Sequence, residues 1–268
     1  MSKHTLSCAP ALIDCTLQNA TAFVTLMRPA VHNALDAASI AALTQTFVRM
    51  PEAVRIVVLR GSGKSFCAGA DLTDMRNSVH HAPAQNRADA EALSALFAAV
   101  ASAPQVVIAQ VHGAALGGGA GLVCCCDLVV AAPDARFGFT EARLGLAPAV
   151  IAPHVVRRIG LAKAKRLFLT ADLLDAEAAL AVGLVDTVAA SHAPEALSNV
   201  VQGWQTSILR NGPKAISRIK SLLRDITQLD AAAAASMCID TISQMRIGAE
   251  AQAGLEAFLQ KKTPPWAE

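Results

Sequence analysis

The chain is predicted to be an α/β protein with a layered core and a helical C-terminal region, on three observations. Short β-rich runs alternate with helical periods from Leu12 to Val188. A glycine triplet, Gly117 to Gly119, stands where one such run should pass into a helix. From Pro194 onward nearly every segment has helical period, punctuated by Gly212 and Gly248. At 268 residues the chain can bury a sizeable core. The core is assigned to residues 1–192 and the helical region to 193–268.

Leu12–Leu17 alternates apolar and polar residues, Asn19-Ala20 breaks the pattern and Ala22–Met27 resumes it, which predicts a hairpin. Asp36 can cap a helix running to about Met50, with Ile40, Leu43 and Phe47 on one face. Arg55–Arg60 is a short β-branched strand that flows into the loop GSGKSFCAGAD. A helix over about Arg87–Ala101, a strand over Gln105–Val111, a helix over Leu122–Cys126 and a strand over Asp127–Ala131 follow. Beyond Ala147, helices are expected at Pro148–Ile159, Leu161–Leu169 and Ala176–Val182, with a strand near Leu184–Val188. The last helices are expected at Pro194–Leu209, Pro213–Asp225, Ala231–Met245 and Ala249–Leu259. Their apolar faces must pack on the core or on another subunit, so self-association is expected.

Composition removes several function classes. A net charge of +2 with 16% charged residues leaves no dominant field, and no Lys/Arg stripe interleaves with aromatics, so nucleic acid is not the expected partner. The 53% hydrophobic content raises the question of a membrane span, but the most apolar stretch, Val106–Val130, is broken by Gly113 and by Gly117 to Gly121. The N-terminal MSKHTLSCAPAL lacks the apolar run of a signal peptide, and cytoplasmic residence is the expectation. The seven cysteines include Cys124, Cys125 and Cys126 in a row with no CxxC spacing. They read as small buried side chains in a reducing compartment, with no disulfide or metal site.

Gly63-Lys64-Ser65 resembles the end of a phosphate-binding loop, but the first glycine of that pattern would fall at Val58 within a strand. No GxSxG elbow is present, and Gly117 to Gly121 does not fit GxGxxG. The glycine triplet at a strand-to-helix turn can bind an anion or a developing oxyanion through free amides, or can serve tight packing alone.

Two backbone-rich loops remain, Cys67–Asp71 and Gly117–Gly119, each after a predicted strand. Together with RPAVHNAL (28–35), SFCAGADL (65–72), HGAALGGGAGL (112–122), CDLVVAAPDARFGFTEARLGLAP (126–148) and AFLQKKTPPW (257–266), they resemble the crotonase, or enoyl-CoA hydratase/isomerase, superfamily over nearly the whole chain. The resemblance implies a crotonase-like spiral of ββα units with a helical C-terminal oligomerisation region, assembled as a trimer or a dimer of trimers. It implies an acyl-CoA thioester substrate and no cofactor, coenzyme A being part of the substrate.

By position, the resemblance assigns the N–H groups of Ala70 and Gly118 to an oxyanion hole for the thioester oxygen, and Glu141 to the acid/base role on the adjacent carbon. A carboxyl group near apolar walls has its pKa raised toward that role. Val31, Ala68, Leu72, Gly117 and Thr140 are implied to contact substrate, as are Asp71, which also suits an N-cap, Gly121 and Arg143. Lys261, with Lys262, is a candidate for the CoA phosphates, of its own or a neighbouring subunit, against a merely solvated chain end. His112 reads as a hydrogen-bonding residue at a strand end.

The chain departs from the pattern at Gly121, where two-glutamate hydratases of the superfamily carry a water-orienting carboxylate. A single glutamate suits a 3-enoyl-CoA to 2-enoyl-CoA isomerase. The wording AGLVCCCD and TEARLGLAPAVIAPHVVRRIG instead resembles the methylglutaconyl-CoA and isohexenylglutaconyl-CoA hydratase branch of leucine and terpene breakdown, whose substrates bear a distal carboxylate. Arg143 and His154 are candidates for meeting that group, against a structural role for each. The hydratase is favoured, and a glutamate introduced at Gly121 is expected to raise simple enoyl hydration if the pocket supports it. A catalytically idle acyl-CoA-binding protein is the competing class, with thioester hydrolysis or decarboxylation as further chemistries.

Overall fold

The hairpin read from Leu12 onward is present in the computed structural model, which describes residues 4–5 and 12–267; most of the N-terminal stretch read for a targeting signal, and Cys8, lie outside the described residues. Strand β1 (His4–Thr5) pairs antiparallel with β2 (Ile13–Gln18), and β2 with β3 (Thr21–Leu26), in a register that sets Ile13 against Leu26 and Gln18 against Thr21. That register leaves Asn19 and Ala20 as a two-residue turn, with Asn19 at φ 53°, a conformation asparagine tolerates well.

Helix α1 (Ala37–Val48) starts at Asp36 because the aspartate accepts from Ser39 N–H at 2.7 Å while Ser39 Oγ accepts from Asp36 N–H at 2.9 Å, a reciprocal cap. Leu43 and Phe47 bury its inner face, with Ile40 partly buried beside them. Asp36→Ala is expected to cost about 0.5–2 kcal/mol, seen as a fall in melting temperature of about 2–4 °C per kcal/mol. An unchanged transition would show that the cap contributes nothing.

Strand β4 (Ile56–Gly61) follows, then α2 (Leu72–Asn77), α3 (Pro83–Ser102), β5 (Val106–Val111), β6 (Ala114–Leu116), α4 (Gly118–Cys125), β7 (Leu128–Ala131) and β8 (Arg136–Gly138). Next come α5 (Ala152–Ile159), α6 (Leu161–Thr170), β9 (Leu173–Asp175), α7 (Ala176–Val182) and β10 (Thr187–Val188). One sheet has the order β1-β2-β3-β4-β5-β7-β10, and β6-β8-β9 form a second, three-stranded one. The β3–β4, β5–β7 and β7–β10 pairs are parallel. Strands buried on both faces need continuous apolar runs, and Ile56–Leu59 and Val107–Ala109 supply them. Cys67 and Cys124, inside this core, have their thiol pKa pushed up to about 12 by burial, so neither is a nucleophile.

The chain falls into two compact units: residues up to Ala103 together with Val107–Val201, and Pro104–Val106 together with the chain from Gln202. The first holds the sheets and α1 to α7. Helix α8 (Pro194–Leu209) crosses from one unit's sequence into the other's. The second unit is built on α9 (Pro213–Ile226), α10 (Ala231–Arg246) and α11 (Ala249–Leu259). There the Glu250 carboxylate accepts from Lys214 N–H at 2.9 Å and Ala215 N–H at 2.8 Å, capping α9, and Trp266 Nε1 donates to Arg210 O at 3.1 Å. No helix among the described residues is long and apolar enough to cross a membrane.

Candidate active site

The two backbone-rich loops meet. Phe66 and Cys67 donate their N–H groups to His112 O and Ala114 O, and Leu116 N–H donates back to Cys67 O at 3.0 Å, laying residues 66–67 along the strand that leads to the glycine triplet. On its other edge the loop is held by Leu35, whose N–H donates to Gly69 O at 2.7 Å and whose carbonyl accepts from Asp71 N–H at 2.9 Å. These two bonds bracket Ala70 and turn its own N–H away from Leu35, as the alternation of a parallel bridge requires. Gly117 stands at φ 49°, ψ −120°, which a residue with a side chain rarely adopts, and this turns the chain into α4 with Gly118 as its first residue. The first amides of a helix have no intrahelical acceptor. Neither Ala70 N–H nor Gly118 N–H finds an acceptor among the described residues. They are neighbours: a Cβ on Gly118 would stand 3.9 Å from Ala70 N, and one on Gly69 would stand 3.5 Å from Gly118 N.

Glu141 opens a single 3-10 turn, Glu141–Leu144, that Gly145 ends at φ 74°. A Cβ on Gly117 would lie 3.1 Å from Glu141 Oε1, so the carboxylate stands beside the residue that leads into Gly118. Its Oε2 is buried and has no hydrogen-bond partner among the described residues. Burial pushes the Glu141 pKa above the ordinary glutamate value, against a smaller lowering by its own backbone amide. Ala70, Gly118 and Glu141 share one cavity of about 190 Å³, whose other walls include Leu35, Ile40, Met75, Leu93, Val150 and Ile151. Among the described residues, Glu141 is the only ionisable side chain in that lining.

A clamp behind the loop holds Ala70 in place. The Arg28 guanidinium pairs with Asp36 at 2.9 Å and with Asp71 at 3.1 Å, and it also donates to Ala34 O. Asp71 in turn caps α2 by accepting from Thr73 N–H at 3.0 Å. That bond first, and Arg28 after it, hold the Asp71 pKa below the ordinary aspartate value against an opposing desolvation. The stability this carboxylate contributes is therefore present above the ordinary aspartate range and lost as pH falls through its depressed folded value. Asn33, at φ 57° and 1% exposed, donates from Nδ2 to Ser62 O at 2.8 Å and Ser65 O at 2.7 Å, while its Oδ1 accepts from Arg28 N–H at 2.9 Å. Arg28 and Asn33 stand in the sequence motif RPAVHNAL, yet nothing in their residue types announced a positioning role; only the ion pair across 43 residues reveals it.

The remaining expected site residues spread out. Ala68 donates its N–H to His32 O at 2.9 Å in the same loop, and Thr140 immediately precedes Glu141 as the cap of its turn. Val31 and Leu72, 41% and 64% exposed, lie outside the cavity lining. Arg143 also lies outside it, its guanidinium donating to Ala171 O at 2.6 Å. His154 packs on the Phe97 ring with centroids 5.8 Å apart, and burial lowers its pKa, which favours the neutral ring. His112 donates from Nε2 to Gly63 O at 2.9 Å. Lys261 belongs to the second unit, at φ 54° just after α11.

Gly121 is buried in α4 and does not line the cavity. A Cβ there would meet Ile151 Cγ2 at less than contact distance and stand 3.0 Å from Ile151 Cβ and 3.3 Å from Phe97 Cζ. The position left without a carboxylate is therefore occupied by Ile151, with Phe97 behind it. No residue type in the sequence pointed to either one.

The sequence profile of the enoyl-CoA hydratase/isomerase family matches residues 16–268, and the chain belongs to that family of enzymes. Among its relatives is the crotonyl-CoA hydratase of Syntrophomonas wolfei, 33% identical over 88% of this chain and 90% of that protein. Of solved structures, an enoyl-CoA hydratase from Shewanella pealeana superposes with TM-score 0.89 at 34% identity, covering 95% of each chain. Pseudomonas aeruginosa AtuE superposes with TM-score 0.91 at 36% identity, over 96% of this chain and 99% of the other. The architecture is accordingly the α/β crotonase fold with a helical C-terminal region.

Proposed function

We propose that this chain is an acyl-CoA lyase that adds water to a 2-enoyl-CoA, with Ala70 and Gly118 N–H as the oxyanion hole and Glu141 as the only acid/base. The observation that carries the reading is the pairing of two acceptor-free amides with one buried, unpartnered carboxylate in the same apolar cavity. The thioester oxygen accepts from both amides and takes up negative charge as the enolate forms. Fixed donors in a water-poor site stabilise that charge without reorganising. In hydration, Glu141 takes a proton from water as the water oxygen bonds to C3, the C2–C3 π electrons moving into the enolate. Protonated Glu141 then returns the proton to C2, and the thioester carbonyl reforms. The names of the similar hydratases support this reading.

A second reading is favoured by the lining itself. Among the described residues no second polar side chain lines the cavity to hold a water beside Glu141, whereas a 1,3-proton shift needs none. In that isomerase reading Glu141 takes a proton from C2 of a 3-enoyl-CoA and delivers it to C4 of the same enolate.

The same lining bears on the acyl group. A carboxylated, methylglutaconyl-like substrate, as the sequence implied, would need a cation, and among the described residues the lining has none, Arg143 and His154 lying outside it with the partners given above; a branched apolar acyl group needs no such partner. The walls favour a compact apolar acyl group. Self-association, as a trimer or dimer of trimers, fits the second unit's exposed apolar residues, among them Ile247 at 83% and Phe258 at 80%.

The test is mass spectrometry in ¹⁸O-labelled water with 2-enoyl-, 3-enoyl- and 3-methylglutaconyl-CoA, together with exchange of the C2 hydrogens in heavy water. One ¹⁸O incorporated into the 2-enoyl substrate supports the lyase. Conversion of the 3-enoyl substrate alone, without label, replaces it with the isomerase. Binding without either turnover or exchange leaves an idle binder and rejects both.

A further inference from the structure

We infer that Ile151, resting against the bare backbone of Gly121, is a specificity-determining residue that restricts the cavity to short acyl chains. The inference rests on the acyl-CoA reading above and adds the substrate's size.

Gly118 and Gly121 are three residues apart on α4 and therefore share a face, with Gly121 about 4.5 Å further along the axis. Gly118 lines the cavity, and the α4 face it lies on continues toward Gly121, where it is covered. Ile151 lines the cavity, is 3% exposed, and lies closer to the Gly121 backbone than any side chain at 121 would permit. The Phe97 ring, fully buried on α3, closes the same spot from behind. Phe97 and Gly121 do not line the cavity, so the Ile151 side chain is what stands between it and them. The lined space is about 190 Å³ and open on one side, and an acyl tail that grows along α4 from Gly118 toward Gly121 meets Ile151.

Shortening Ile151 should extend the cavity to the Phe97 ring and the Gly121 backbone, and a methyl group at 121 should then refill part of it. The experiment measures binding of butyryl-CoA and octanoyl-CoA by calorimetry, and kcat/KM on 2-butenoyl- and 2-octenoyl-CoA. The proteins are the wild type, Ile151→Val, Ile151→Ala and the double variant Ile151→Ala/Gly121→Ala. The wild type should prefer the shorter thioester. Ile151→Ala should move the long-to-short ratio by about tenfold or more toward the longer one. Ile151→Val, a milder change that keeps the fold, should move it less in the same direction, and the added Gly121→Ala should move it back. A ratio unchanged in the folded Ile151 variants overturns the inference. A wild type that binds neither thioester overturns the acyl-CoA reading itself, and this inference with it.

Discussion

Glu141→Gln is expected to lower kcat by about 10²–10⁴, the usual contribution of a positioned acid/base group, while acyl-CoA binding is retained. The amide is nearly isosteric with the acid, so the cavity keeps its shape, but it can neither take nor return a proton. The raised Glu141 pKa adds a second signature. The group must be ionised to act as a base, so the acidic limb of the wild-type kcat profile should lie above the ordinary glutamate range, and the variant's residual activity should lack that limb. The stability effect runs the other way. A carboxyl group whose folded pKa is raised costs the fold stability progressively as pH rises from its ordinary value through its raised folded value, and in full above that. Glu141→Gln should therefore raise the melting temperature at neutral pH and leave it nearly unchanged in acid. Full activity in the variant would remove Glu141 from the mechanism.

Gly118→Pro should cost roughly 10²–10³ in kcat, the scale set by deletion of one oxyanion donor. The substitution deletes the N–H and sets the ring Cδ on the same nitrogen, so it removes the donor and crowds the place where the thioester oxygen would sit. Position 118 is the first of α4, where proline is favoured because that amide has no helical acceptor. An added Cβ would be no nearer than 3.7 Å to Leu35 Cδ1 and 3.9 Å to Ala70 N. Gly118→Ala is the control that keeps the donor: loss shared by both variants belongs to the added Cβ, and the excess in the proline variant to the missing N–H together with the ring carbon that takes its place. Equal rates in the two, with circular dichroism like wild type, would show that Gly118 N–H does not meet developing charge.

Much of this was legible in the residues, and the parts that were not have physical reasons. The hairpin, α1 with its Asp36 cap and the long C-terminal helices were readable because each carries a period or a cap within one window. The second sheet was not, because β6, β8 and β9 are three residues each, too short to show alternation. Helix α4 begins at Gly118 although the apolar period starts only at Leu122; its first turn is glycine and alanine, which carry almost no pattern, and buried packing overrides their low helical preference. In the site, Ala70, Gly118 and Glu141 came from motif resemblance, and the structure gathers all three around one cavity. Arg28, Asn33, Phe97 and Ile151 were missed because positioning and packing are relations between distant segments, and no single residue type announces them.

The Gly121–Ile151 contact also constrains how this site can change. A glutamate placed at 121 would drive its Cβ into Ile151 before its carboxylate reached the cavity, so that substitution alone, expected from the sequence to raise hydration, should instead strain the core. The two positions are locked in order. An acid becomes acceptable at 121 only after 151 has shrunk, and a large residue at 151 is acceptable only while 121 stays bare. Any path from this one-carboxylate site to a two-carboxylate one thus passes first through an enlarged, still single-acid intermediate, and a library that varies position 121 alone will miss it.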